Sequence, residues 1–192
     1  MRKHIFATLL ISLLAGGLFA QATDETIAAI NARYDNIVEK ARLCEADDDQ
    51  GEFGELVMAT LDVNARAHQW RAVGQYRPVY KFFYKQIGDN ETRLYPDQLV
   101  FIVSERKVSD RVYREEYLYS DTGTLIFFRQ KAENDATVPT ERRVYFSGLK
   151  TLRIVEDGKA RNRSTATDTK NIIEIRRAAG KLMDVFKRSI DL

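Results

Sequence analysis

The chain has 192 residues, 30 basic against 28 acidic, with two histidines and one cysteine. That length suits one domain with room for a sizeable core. A single cysteine excludes an internal disulfide, and the near-neutral balance gives no long-range steering toward a polyanion such as nucleic acid.

Arg2 and Lys3 precede an apolar run from Ile5 to Leu14, then Ala15, Gly16, Gly17 and a short stretch ending at Ala22. A charged start, an apolar centre and a small-residue end are the parts of a secretory signal, in the required order. Ala20-Gln21-Ala22 has the A-x-A form and directs a cut before Thr23, with Ala20 as the alternative site. The apolar run is well short of the roughly 20 residues that span a bilayer. The sequence therefore reads as a signal over 1–22 and a single domain over 23–192, working in the periplasm or outside the cell. No integral membrane segment is expected after processing. A lipoprotein would need a cysteine at the cut, and Cys44 lies far downstream. Removing the signal takes away Arg2, Lys3 and His4, which leaves 28 basic residues against 28 acidic and His68 as the remaining histidine.

From Asp24 to Leu43, Ile27, Ile30, Tyr34, Ile37 and Ala41 recur at three- and four-residue spacing, one face of an amphipathic helix. Thr23 or Asp24 is its expected cap. Cys44 ends it and reads as a partly buried small apolar residue, with a reactive thiol or an intermolecular disulfide as the rival. An acidic loop from Glu45 to Gly54 follows.

At Glu55 the period changes to two. Val57, Ala59, Leu61, Val63, Ala65 and Ala67 face one way; Trp70, Ala72, Gly74, Tyr76, Tyr80, Phe82 and Tyr84 continue the alternation. Such strands, half on a core and half on solvent, argue for an antiparallel sheet. Pro78 predicts an edge strand or a bulge. After a polar loop from Gly88 to Gln98, strands are expected over Leu99–Arg106, Arg111–Tyr119, Thr124–Gln130, Arg142–Phe146 and Thr151–Val155. Val108-Ser109-Asp110, Ser120 to Gly123 and Ser147-Gly148 supply the turns.

The stretches Arg114–Phe127 and Glu141–Ile154 share a pattern of charged entry, aromatic strand, turn and apolar strand. Recurring hairpin physics in a meander accounts for this, with a true repeat as the alternative. A polar linker from Lys159 to Ala166 leads to a second amphipathic helix, whose stripe is Ile172, Ile175, Ala179, Leu182, Phe186 and Ile190. Thr167 or Asp168 is its expected cap. The fold class is α+β: an N-terminal helix, an antiparallel meander of about seven strands, and a C-terminal helix packed on the sheet. The economical arrangement lays both helices across one face; a sheet curled around one helix is the alternative.

Most catalytic equipment is missing from this pattern. With His68 alone, histidine-based triads and the common zinc sites have no ligands or base. There is no glycine-rich phosphate loop and no paired-cysteine motif. Asp47-Asp48-Asp49 fails the calcium-loop spacing. Glu115 and Glu116 are adjacent on a strand, so they point to opposite faces and cannot share a site. No cofactor and no metal are expected.

The aromatic content of the sheet carries the functional expectation. Trp70, Tyr76, Tyr80, Tyr84, Tyr117 and Tyr119 are the candidate ligand-binding residues, since tyrosine joins an apolar ring to a polar hydroxyl. Arg71, Arg77, Lys81 and Lys85 form a second candidate surface on the opposite face. The expected role is an exported, non-catalytic binding or interaction module for a protein, a glycan or an apolar ligand. A carrier with helices lidding an aromatic sheet is the alternative, and an enzyme with an unfamiliar site comes after it.

Overall fold

The computed structural model of the protein describes residues 3–46, 56–70, 74–86 and 97–190, with side chains over 21–46, 56–69, 76–85 and 98–190. Most of the acidic loop, Asp47 to Asp49 included, lies outside the described residues, as do Arg71, the side chains of the apolar run and the side chain of Trp70.

Two helices enclose one antiparallel sheet. Helix α1 spans Lys3–Glu45 and α2 spans Ala166–Ile190. Between them run β1 (Val57–Asp62), β2 (Gln69–Trp70), β3 (Gly74–Gln86), β4 (Asp97–Val108), β5 (Arg111–Tyr119), β6 (Leu125–Glu133), β7 (Glu141–Ser147), β8 (Lys150–Glu156) and β9 (Lys159–Arg161). The order is β1-β3-β4-β5-β6-β7-β8-β9, with β2 paired to the start of β3.

The α+β architecture matches the sequence reading, with nine strands among the described residues where about seven were expected. The additions are β2 and β9, of two and three residues. Both are too short to show an alternation, and β9 falls inside the expected linker.

The helices lie on opposite faces, not on one. The reason is visible in the central strands, which bury consecutive residues: Phe82-Phe83, Val100 to Val103, Tyr117 to Tyr119, Phe127-Phe128 and Val144 to Phe146. A strand apolar on both sides needs two covers. Ile27, Ile30, Tyr34, Ile37 and Ala41 of α1 pack on Phe83, Phe101, Leu118, Phe127 and Tyr145. Ile175, Ala179 and Phe186 of α2 pack on Phe82, Ile102, Tyr117, Phe128 and Val144. Ile172, Leu182 and Ile190 complete the expected stripe as partly buried neighbours.

Both helices cross the strands. Helix α1 pairs Asp24 with Arg153 on β8 and Glu45 with Lys81 on β3. Helix α2 ties Asp168 to Arg161 on β9 and stacks Phe186 on Phe82 of β3, ring centroids 5.8 Å apart. Asp24 is thus an ion-pair partner and not a cap, because α1 is already helical from Lys3. The cap of α2 is Thr165, one turn before the expected residues. Its Oγ1 accepts from the Asp168 amide at 3.1 Å, and Asp168 Oδ2 accepts from the Thr165 amide at 2.8 Å, a reciprocal capping box.

The first strand also ends early. Asn64 and Ala67 take positive φ (61° and 52°), and the Asn64 amide donates to the carbonyls of His68 and Tyr76. That turn cuts the alternation at Asp62 and leaves Leu61 39% exposed on an edge strand. Pro78 sits on an interior strand and is not bulged. Its carbonyl accepts from Val63 where β1 leaves the sheet, so its missing donor faces the same vacated side.

The recurring hairpin pattern has a geometric counterpart. Hairpins β3–β4, β5–β6 and β7–β8 each carry one register shift, opposite Phe83/Tyr84, Leu118/Tyr119 and Tyr145/Phe146. The unpaired residues are Val100, Ile126 and Leu152, evenly 26 positions apart. All three are apolar and pack on the α1 side. A bulge adds a residue to one face and sharpens the twist, so the three hairpins bend alike beneath α1.

Candidate functional site

Register places one residue per strand in rows across the sheet. On the α2 face the row Phe82–Ile102–Tyr117–Phe128–Val144–Ile154 is wholly apolar or aromatic and buried. Two positions along each strand, the next row reads Tyr80–Ser104–Glu115–Gln130–Arg142–Glu156. Helix α2 covers the first row and stops at the margin of the second. Two adjoining clefts lie along that margin, of about 280 and 200 Å³, and share Arg106, Glu115, Tyr117 and Ala178 as walls.

The polar row is internally bonded at its centre. Tyr117 donates to Glu115 Oε2 at 2.7 Å and Gln130 Nε2 donates to Glu115 Oε1 at 3.2 Å. Arg142 Nε bonds Glu156 at 2.7 Å. Arg106 is held differently: its guanidinium lies 3.7 Å from Glu115 Oε1 and 4.7 Å above the ring of Tyr113. Among the described residues its Nε is buried without a partner, as is Gln130 Oε1. Buried polar atoms are ordinarily paired, and each unpaired one costs about 1–3 kcal/mol. Burial first, then Glu115, pushes the Tyr117 phenol well above its ordinary pKa, and burial raises that of Tyr80. The floor therefore offers neutral hydroxyls.

The candidate tyrosines separate by depth. Tyr80 and Tyr117 belong to the groove. Tyr119 is buried beneath α2, donating to the Ala179 carbonyl at 3.1 Å, and also borders a separate depression of about 200 Å³ beside Gly123 and Met183. Tyr84 packs on Phe186 with centroids 5.1 Å apart, partly buried at the edge of the α2 core. Tyr76 lies at the far end of β3, away from α2, opposite Val108. Arg77 and Lys81 stand on the opposite face from Tyr80, where they pair with Asp62 and Glu45. Ser104, Arg106, Gln130, Asn171 and Lys181 also line the groove and were not singled out from sequence. Their signal was weak: each looks like an ordinary surface residue until register aligns it.

The α1 face has its own polar row two positions past the core. Glu116 there is buried, accepting from Tyr34 at 2.5 Å and from Arg114 at 2.8 Å, with Arg129 at 3.7 Å. Glu115 and Glu116 thus face opposite helices. A cleft of about 340 Å³ lies beside Tyr34, Asp35, Arg129 and Arg143, and there Glu141 holds both arginines, Arg129 at 2.7 Å and Arg143 at 2.8 Å.

The chain matches no family model, no curated protein and no solved structure. Its function has to be argued from its own geometry. Among the described residues no group of three or more His, Cys, Asp or Glu side chains could hold a metal ion, and no helix is long and apolar enough to cross a membrane. His68 is exposed at the turn after β1. Cys44 packs on the α1 core and directs its Sγ to the Leu56 carbonyl at 3.4 Å.

Proposed function

We propose that this protein is an exported, non-catalytic binding module that holds a small polar ligand in the groove between α2 and the polar row. The arrangement of residues 2–22 supports export to the periplasm or beyond. One observation carries the binding reading: α2 stops at a polar row, leaving two joined clefts walled by Arg106 and Glu115, with Arg106 Nε and Gln130 Oε1 unpartnered. Ligand sites combine an apolar wall with a few convergent polar groups, and Tyr117, Phe128, Ile175 and Ala178 supply that wall. The apolar-carrier alternative has less support, because Phe186, Ala179 and Ile175 fill the aromatic floor themselves.

Saturation-transfer NMR with a set of sugars, amino acids and small carboxylates tests the reading. Hits are expected in the wild type and lost in Ala178→Trp, which places an indole across the wall shared by both clefts. Hits lost in Arg143→Gln but kept in Ala178→Trp would move the site to the α1 face and overturn the proposal.

A further inference from the structure

Donors outnumber acceptors at the Tyr80 end of the groove. Glu115 is the carboxylate of that end, and both of its oxygens are committed, one to Tyr117 and one to Gln130. The cations beside it are not. Among the described residues the Arg106 guanidinium makes no hydrogen bond within 3.5 Å; it has the distant ion pair and the Tyr113 ring, and its Nε is buried and unpartnered. Lys181 reaches the same cleft from α2 and forms no ion pair among the described residues. Ser104, 6% exposed, and Tyr80 add hydroxyls from the floor, while Leu182 and Ala178 make the roof apolar.

A guanidinium presents five donors in a planar fork suited to carboxylate and phosphate oxygens, and an ammonium adds a point charge. Against the one Glu115 carboxylate, which Arg106 meets only at 3.7 Å, these two cations leave the cleft short of an anion, and charge-assisted hydrogen bonds are the strong ones. We infer that the groove takes a small organic oxyanion: a carboxylate or phosphate head between Arg106 and Lys181, with an apolar body along Leu182 and Ala178. This rests on the groove reading above and names the ligand class of the same site. Glu115 then has a positioning task. It holds Tyr117 and Gln130 in place, and at 3.7 Å it orients Arg106 without occupying the fork.

The test is NMR titration of the purified protein with four probes of one tail length: hexanoate, hexyl phosphate, hexan-1-ol and hexylammonium. Saturable binding of hexanoate or hexyl phosphate is expected, at least tenfold tighter than the alcohol, with no binding of the cation. The tighter of the two anions identifies the head group. Arg106→Gln and Lys181→Met should each weaken the anion at least tenfold, Arg106→Lys less than Arg106→Gln, and Arg188→Gln, at the far end of α2, should change nothing. Unchanged near-ultraviolet circular dichroism in each variant separates lost binding from lost folding. If the alcohol binds as well as the anions, or if both cation substitutions leave binding intact, the oxyanion assignment is overturned; the groove still stands when Ala178→Trp abolishes that binding. If no probe binds, or Ala178→Trp has no effect on those that do, the groove reading falls as well.

Discussion

The Tyr34 hydroxyl donates to the Glu116 carboxylate at 2.5 Å, joining the middle of α1 to the centre of the sheet. The same hydroxyl accepts from Arg129 at 2.8 Å, so one phenol closes a chain of charge across the helix–sheet interface. Removing it leaves a buried carboxylate short of a donor. Tyr34→Phe is expected to cost about 1–3 kcal/mol, measured by urea unfolding. In a double-mutant cycle with Glu116→Gln the two substitutions should fall short of additivity by about 1 kcal/mol; full additivity would mean the bond contributes nothing.

Three buried phenols make stability sensitive to alkali. Burial raises the pKa of Tyr34, Tyr117 and Tyr119 above the ordinary value, with Glu116 adding to the first and Glu115 to the second. A raised acid pKa means the neutral form is favoured in the native state. Its contribution is complete below about pH 10 and is lost as pH rises above that value. Ultraviolet difference titration should show these three ionising only as the protein unfolds.

At the start of α2 the pH dependence has the other sign. Arg161, then the Thr165 amide and hydroxyl, hold Asp168 well below the usual carboxylate range against the opposing effect of burial. A depressed carboxylate contributes fully above its unfolded value of about 3.9 and loses that contribution as pH falls toward the folded value. Wild type should lose stability between about pH 4 and pH 2 more steeply than Asp168→Asn. Asp168→Ala, which also breaks the capping box, should cost about 1–3 kcal/mol at neutral pH, read from thermal or urea unfolding.

Two glycine substitutions should act in opposite directions. Gly148 turns between β7 and β8 at φ 54°, with open space where a Cβ would sit. Gly148→Ala therefore carries only the backbone cost of the left-handed region, about 1–2 kcal/mol. Gly180 lies inside α2 with equally open space and no positive φ. Gly180→Ala should stabilise by about 0.5–1 kcal/mol. Matching signs in urea unfolding would refute this account.

Much of the fold was legible because its periods are strong. The stripes of both helices and the limits of β5 follow directly from spacing and turn residues. The faces were harder. Alternation in β3 suggested one wet side, yet Phe83 beside Phe82 and Phe101 beside Ile102 show both sides dry, and only the paired burial reveals the second cover. Thr165 was missed as a cap because Thr167 and Asp168 are equally good candidates on paper. The site was partly legible. Tyr80 and Tyr117 were among the candidates, but the groove that brings them together with Ser104, Arg106 and Gln130 depends on strand register and on the bulges at Val100 and Ile126. Bulges leave no local mark in the sequence.

The even 26-residue step from Val100 to Ile126 to Leu152 bears on how large this fold can be. Each hairpin widens the sheet by two strand spacings, about 9.6 Å. Helices crossing from β8 to β3 advance about 1.5 Å per residue. One more hairpin would outrun α2, of 25 residues, unless it lengthened by roughly six residues. Helix α2 thus acts as a ruler, and its length limits the number of hairpins that can be roofed on both sides.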